Sequence, residues 1–138
     1  MGAGLISDHR IAAVCFTGST GTARVISQAM AQAGNPDAVL IAETGGLNAM
    51  LVDSTALAEQ AIRDVLVSAF QSAGQRCSAL RLLYLQEDIE SRFLDMLFGA
   101  MDELSLGDPW ALATDIGPVI DSESQQNIEA YCQEMEGQ

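Results

Sequence analysis

Lysine is absent from this chain: all six basic residues are arginines, set against nineteen acids, and the formal net charge is −13. A P-loop of the GxxxxGK[ST] kind is therefore excluded, because its lysine reaches the phosphates. The arginines also thin out along the chain. Five precede Gln86, whereas thirteen acids and only Arg92 lie from Glu87 onward. Phosphate contacts need clustered cations, so nucleic acid is not expected as a partner of this segment. The acidic half reads as a set of solvated helix faces. Cysteine is sparse and odd in number: Cys15, Cys77 and Cys132. No CxxC pair exists, and His9 is the single histidine. This argues against a structural zinc site and against a disulfide framework, and fits a reduced, cytoplasmic setting. His9 reads as a surface residue. No stretch reaches the roughly 18 apolar residues of a membrane span. Met1-Gly2-Ala3-Gly4 lacks the charged and apolar regions of a signal peptide, and Ser7 falls one position late for a myristoylation motif. Internal repeats and low-complexity linkers are also missing.

What is present is apolar: 49% of the residues are hydrophobic, and 138 residues suffice for one domain with a core. Ile11 to Thr17 is an uncharged apolar run that ends at Gly18-Ser19-Thr20-Gly21, which reads as a buried strand of a parallel sheet. Val25, Ile26, Ala29, Met30 and Ala33 recur at helical spacing within a helix over about Thr22 to Ala33, stopped by Gly34-Asn35-Pro36. Ala38 to Ala42 is a second strand, completing a β-α-β unit. Glu43-Thr44-Gly45-Gly46 breaks it, and Asn48 to Val52 is a further short strand. Asp53, Ser54 and Thr55 are N-cap candidates for a helix from about Ala56 to Ala73, with Leu57, Ala61, Ile62, Val65, Ala69 and Phe70 on one side. Gly74 to Ser78 is a loop, Leu80 to Leu85 a strand. Asp88 to Leu104 is an amphipathic helix with Ile89, Phe93, Leu97, Ala100, Met101 and Leu104 on one face. A loop from Gly107 to about Asp121 and a helix over Ser122 to Glu136 close the chain. The fold class is α/β.

Three places carry candidate chemistry. Gly18-Ser19-Thr20-Gly21, between a strand and a helix, is placed to set backbone N–H groups and the helix dipole against a phosphate; it also reads as an ordinary tight turn. Glu43 stands at the carboxyl end of a strand, where open α/β sheets bind ligands. Partial burial of such a carboxylate suits it to general-base work, and a surface turn acid is the alternative. Cys77 lies in a loop directly after Arg76, and a neighbouring cation favours a thiolate. The alternative is a small buried hydrophobe, the reading that fits Cys15 within its apolar strand. Cys132 reads as a helix residue of no special role.

Taken together, FTGST (Phe16–Thr20), ETGG (Glu43–Gly46) and GQRCSALR (Gly74–Arg81) follow the order seen in the aldehyde dehydrogenase superfamily. LGDPW (Leu106–Trp110) and DIGPVID (Asp115–Asp121) extend the resemblance over essentially the whole chain. Within the superfamily, Glu43–Gln60 and Ser68–Ile89 most resemble the L-glutamate γ-semialdehyde (pyrroline-5-carboxylate) dehydrogenase domain of bifunctional proline utilization A proteins. The resemblance implies an internal fragment of that fold: residues 1–42 from the end of a Rossmann-like NAD-binding domain, and residues 43–138 from the start of the catalytic domain. It implies Cys77 as nucleophile and Glu43 as the base that activates the hydrolytic water. Gly18, Ser19 and Gly45 are implied beside NAD, and Arg76 and Ser78 at the substrate carboxylate. FAD is implied only if the parent carries a proline dehydrogenase domain. The expected partners are a small aldehyde and further copies in a homo-oligomeric parent.

The departures are specific. Ala23 stands where the family turn often has its last glycine, and Thr44 replaces the commoner leucine. The family's oxyanion-hole asparagine and ribose-binding lysine are expected upstream of this segment, and its second cofactor-binding glutamate and oligomerisation strand downstream. Two readings thus stay open: a working part of a semialdehyde dehydrogenase, or a non-catalytic or degenerate piece whose parent takes another aldehyde. A small nucleotide-binding module built on the Gly18 turn is a third. A fragment is also expected to expose apolar faces.

Overall fold

The computed structural model describes residues 2–33 and 37–137. The chain divides into two compact units, Met1–Gly46 and Leu47–Gln138. The expected helix stop at Gly34-Asn35-Pro36 lies outside the described residues.

In the first unit a short helix α1 (Gly2–Ile6) precedes strand β1 (Ala13–Thr17), helix α2 (Thr20–Gln32) and strand β2 (Val39–Glu43). β1 and β2 pair in parallel with Ala13 opposite Val39 and Thr17 opposite Glu43. The β-α-β reading is therefore met. Helix α1, rich in glycine, carries no sequence signal and was not expected. α2 buries Ile26 and Met30 of its expected stripe together with Ala23, while Ala29 and Ala33 are half-buried and Val25 is exposed. The expected burial of β1 is not met: only Val14 and Phe16 are half-buried, and Ala13, Cys15 and Thr17 are exposed. A two-stranded sheet leaves one strand face without cover, whereas an uncharged apolar run needs both faces covered to be buried. Cys15 is exposed for the same reason, contrary to its expected place as a buried hydrophobe.

The second unit repeats the motif. β3 (Asn48–Val52), α3 (Ala58–Phe70) and β4 (Leu80–Leu85) form another parallel β-α-β unit, followed by α4 (Glu90–Asp102) and α5 (Ser122–Glu136). Here a core does form. Val52, Ile62, Val65, Leu80, Phe93 and Leu97 cluster together, with Met50, Leu83, Leu85 and Ile89 packed around them. Phe93 is 2% exposed. The amphipathic face of α4 thus joins a core shared with β3, α3 and β4. None of Asp53, Ser54 and Thr55 caps α3: its N-cap is Leu57, and Asp53 Oδ1 instead accepts from the Thr55 N–H at 2.9 Å. α5 buries no side chain, and its N-cap Asp121 accepts from the Ser124 N–H at 2.8 Å. Large apolar side chains stand in solvent on both units, among them Leu5 and Ile41 in the first and Leu47, Leu51, Trp110 and Ile120 in the second, as expected of a fragment.

Candidate active site

Parallel strands end at the same edge of a sheet, so β1 and β2 deliver Thr17 and Glu43 side by side. The chain then turns: the Gly18 N–H donates to the Glu43 carbonyl oxygen at 3.1 Å, which joins the turn to the end of β2. Ser19 is the N-cap of α2, and its Oγ accepts from the Thr22 N–H at 3.1 Å. This is why α2 starts at Thr20 rather than Thr22. A Cβ at Gly18 would lie 2.5 Å from the ring of Phe16, so glycine lets that ring fold over the turn. No acid occupies the first turn of α2. An exposed helix N-terminus without a carboxylate is fit to receive a phosphate anion. Glu43 and Gly45 are exposed, so the partial burial expected for Glu43 is not present in this chain. The uncovered sheet end provides nothing to bury it.

In the second unit α3 gives way to a tight turn over Gln71–Gly74 in which Ser72, Ala73 and Gly74 all have left-handed backbone, with φ of 58°, 55° and 67°. The expected helix to Ala73 therefore ends at Phe70. The Gln75 N–H donates to the Ser72 carbonyl at 3.1 Å, and Gln75 Oε1 accepts from the Ile120 N–H at 2.8 Å. Arg81 Nη2 donates to the Gly74 carbonyl at 2.5 Å. The Ala79 N–H donates to the Arg76 carbonyl at 3.1 Å, which makes Arg76 to Ala79 a β-turn with Cys77 at its second position. Arg76, Cys77 and Ser78 are all exposed, while Ala79 is buried beneath them. The alternative of Cys77 as a buried hydrophobe is thereby corrected, and Cys132 is exposed as well. Asn48, read from sequence only as a strand residue, donates from Nδ2 to the Cys77 carbonyl at 2.8 Å and to that of Ala79 at 2.9 Å.

The site residues thus fall into two groups. Gly18, Ser19, Glu43 and Gly45 belong to the first unit, and Arg76, Cys77 and Ser78 to the second. Among the described residues no cluster of His, Cys, Asp or Glu is arranged to hold a metal ion. No described helix is long and apolar enough to cross a membrane.

Comparison with known proteins identifies the family. The family model for "Aldehyde dehydrogenase family" matches residues 1–138. The bifunctional protein PutA of Klebsiella aerogenes is 55% identical over 138 residues, covering 98% of this chain and 10% of that protein. A crystal structure of a mutant of Bradyrhizobium japonicum proline utilization A superposes with a TM-score of 0.93 at 52% identity, over 99% of this chain and 14% of the other. A betaine aldehyde dehydrogenase from Staphylococcus aureus, solved in complex with NAD+ and carrying a BME-modified cysteine, gives a TM-score of 0.87 at 29% identity, over 94% of this chain and 26% of the other. The chain spans about a tenth of the length of these PutA relatives.

Proposed function

The chain belongs to the aldehyde dehydrogenase family, and from that premise we propose that it is the part of an NAD-dependent L-glutamate γ-semialdehyde dehydrogenase that carries the nucleophile and the general base. The observation that carries this reading is that one chain presents an exposed Cys77 on a hydrogen-bonded turn of its second unit and, in its first, a glutamate at a strand end beside a phosphate-competent turn. Identity of 55% to PutA over 98% of the chain supports the semialdehyde as substrate and proline catabolism as its setting.

Cys77 Sγ, as the thiolate, adds to the aldehyde carbon and forms a tetrahedral hemithioacetal. The charge moves to oxygen, and the Cys77 backbone N–H donates to it. A bound NAD would supply the hydride acceptor at that carbon, and the carbon would then be held on Cys77 as a thioester. Glu43 then accepts a proton from water as the water oxygen attacks the thioester carbon. The C–S bond breaks, glutamate leaves as the carboxylate, and Cys77 is restored. Gly18 and Ser19, at the N-terminus of α2, would hold the pyrophosphate of NAD, and Gly45 would contribute to the same cofactor site. Arg76 and Ser78 flank Cys77 and receive the α-carboxylate of the semialdehyde. Residues 1–42 end the NAD-binding domain and residues 43–138 begin the catalytic domain, with Glu43 at the junction. FAD enters only through a proline dehydrogenase domain outside this segment. The longer enzyme works as a cytoplasmic homo-oligomer.

By itself the 138-residue chain is inactive. Glu43 and Cys77 are both open to solvent, and extensive apolar surface lacks a partner. Two measurements test this. Aldehyde-dependent NADH formation by the longer enzyme is lost in Cys77→Ala; full activity in that variant would sink the nucleophile. Turnover of glutamate semialdehyde by the purified chain would refute its inactivity.

A further inference from the structure

We propose that Asn48 is a positioning residue for Cys77, holding the nucleophile's turn in register through its side-chain amide; this rests on the reading of Cys77 as nucleophile. Asn48 Nδ2 lies 2.8 Å from the Cys77 carbonyl oxygen and 2.9 Å from that of Ala79. Both partners are acceptors only, so the NH2 end of the amide must face them, and each of its two N–H groups has one carbonyl. The carbonyls flank Ser78 in the turn closed by the Ala79 N–H on Arg76. Fixing the Cys77 carbonyl fixes the plane of the Cys77–Ser78 peptide, and with it the direction in which Cα sends Sγ.

The sheet is shaped around this contact. Asn48 pairs with Leu80, but Ala49 pairs with Leu82, so β4 carries one extra residue, Arg81, at this level. A bulge in a parallel pair is uncommon, and bulges gather beside active sites because they re-aim a side chain. The bulged Arg81 turns back to the Gly74 carbonyl, at the other end of the nucleophile loop. Asn48 and Arg81 thus hold the loop from either side of one register slip. Arg81 fixes where the loop leaves the left-handed turn. Among the described residues, Asn48 alone reaches the Cys77 carbonyl from a neighbouring strand.

The chain itself permits a test that needs no turnover. In the unsubstituted chain, NMR is expected to detect scalar coupling across the hydrogen bonds from Asn48 Nδ2 to the Cys77 and Ala79 carbonyl carbons. Asn48→Ala is expected to shift both carbonyl resonances and to speed exchange of the Ala79 N–H about tenfold, the equivalent of one lost hydrogen bond. Asn48→Gln, which keeps the donor, recovers part of both. No coupling, or unmoved Cys77 and Ala79 resonances in Asn48→Ala, overturns the proposal, and the coupling arm does not depend on any variant folding. In the longer enzyme Asn48→Ala is expected to lower kcat about tenfold with little change in the aldehyde KM, since misplacing a reacting atom costs rate more than binding. A loss confined to KM overturns the positioning role. If the coupling is present while Cys77→Ala keeps full turnover, the contact stands and the nucleophile assignment falls.

Discussion

The same motif occurs twice in this chain and meets two different fates. β1-α2-β2 and β3-α3-β4 are both parallel β-α-β units of similar length. In the second unit α4 adds Phe93 and Leu97 to Val52, Ile62, Val65 and Leu80, and a core closes. In the first, among the described residues only Ala23, Ile26 and Met30 of α2 are buried, and both strands keep an open face. A β-α-β unit is therefore a local solution that still needs a further layer to become stable, because one sheet face and one helix stripe cannot exclude water alone. Cys77 sits on the unit that has this layer, whereas Glu43 and the Gly18 turn sit on the unit that lacks it.

The largest expected effect breaks the second core. Phe93→Ala should cost about 4 kcal/mol, a transfer loss plus an unfilled cavity. Urea unfolding followed by amide exchange should then show lost protection in β3, α3 and β4; retained protection in α3 would mean that Phe93 does not hold the unit together. Next come the two turn glycines. In Gly74→Ala the new Cβ would lie 2.8 Å from the Ala69 carbonyl oxygen at a φ of +67°. Backbone cannot give way cheaply, and a left-handed alanine adds its own cost, so about 2 kcal/mol is expected. In Gly18→Ala the clash is with the ring of Phe16, a half-buried side chain that can swing aside, and the cost should stay below about 1 kcal/mol. Equal urea midpoints for the two variants would contradict this ordering.

The smallest effect is electrostatic. The Ser124 N–H bound to Asp121 holds that carboxyl below its ordinary value of 3.8. A lowered folded value means that the carboxylate form stabilises the cap, fully above the ordinary value and progressively less as pH falls through the folded one. Helix α5 should therefore fray at its start on acidification, read from the Ser124 amide resonance. Asp121→Asn keeps an acceptor and should remove the pH dependence. In the first unit, the Arg10 guanidinium holds Asp8 at about 2, so that pair should persist until the pH nears that value. A Ser124 resonance that does not move on acidification would discard the cap as the acid-sensitive contact.

Much of the fold is legible from local pattern. β3, β4 and α5 lie where alternation and helical spacing place them, because those signals are carried within one element. The apolar stripe of α4 likewise identifies its buried face. The ends are less legible. α3 stops at Phe70 because the backbone turns left-handed through Ser72 and Ala73, residue types that give no warning of it. The order of the candidate site residues is also readable, and so is their chemistry: a thiol after an arginine, and a carboxylate at a strand end. Whether these side chains are covered is not, since cover comes from elements elsewhere in the fold.

The sequence by itself determined the two β-α-β units, the family to which the motifs belong, and the residue types available for thiol and carboxylate chemistry. Tertiary structure alone decided that Cys77 stands on an exposed turn, that β4 slips by one residue at Arg81, and that Asn48 ties the two together. The physical reason is range. Periodicity and capping act over a few residues, but a side-chain amide that captures a carbonyl 29 positions away exists only once two strands have paired.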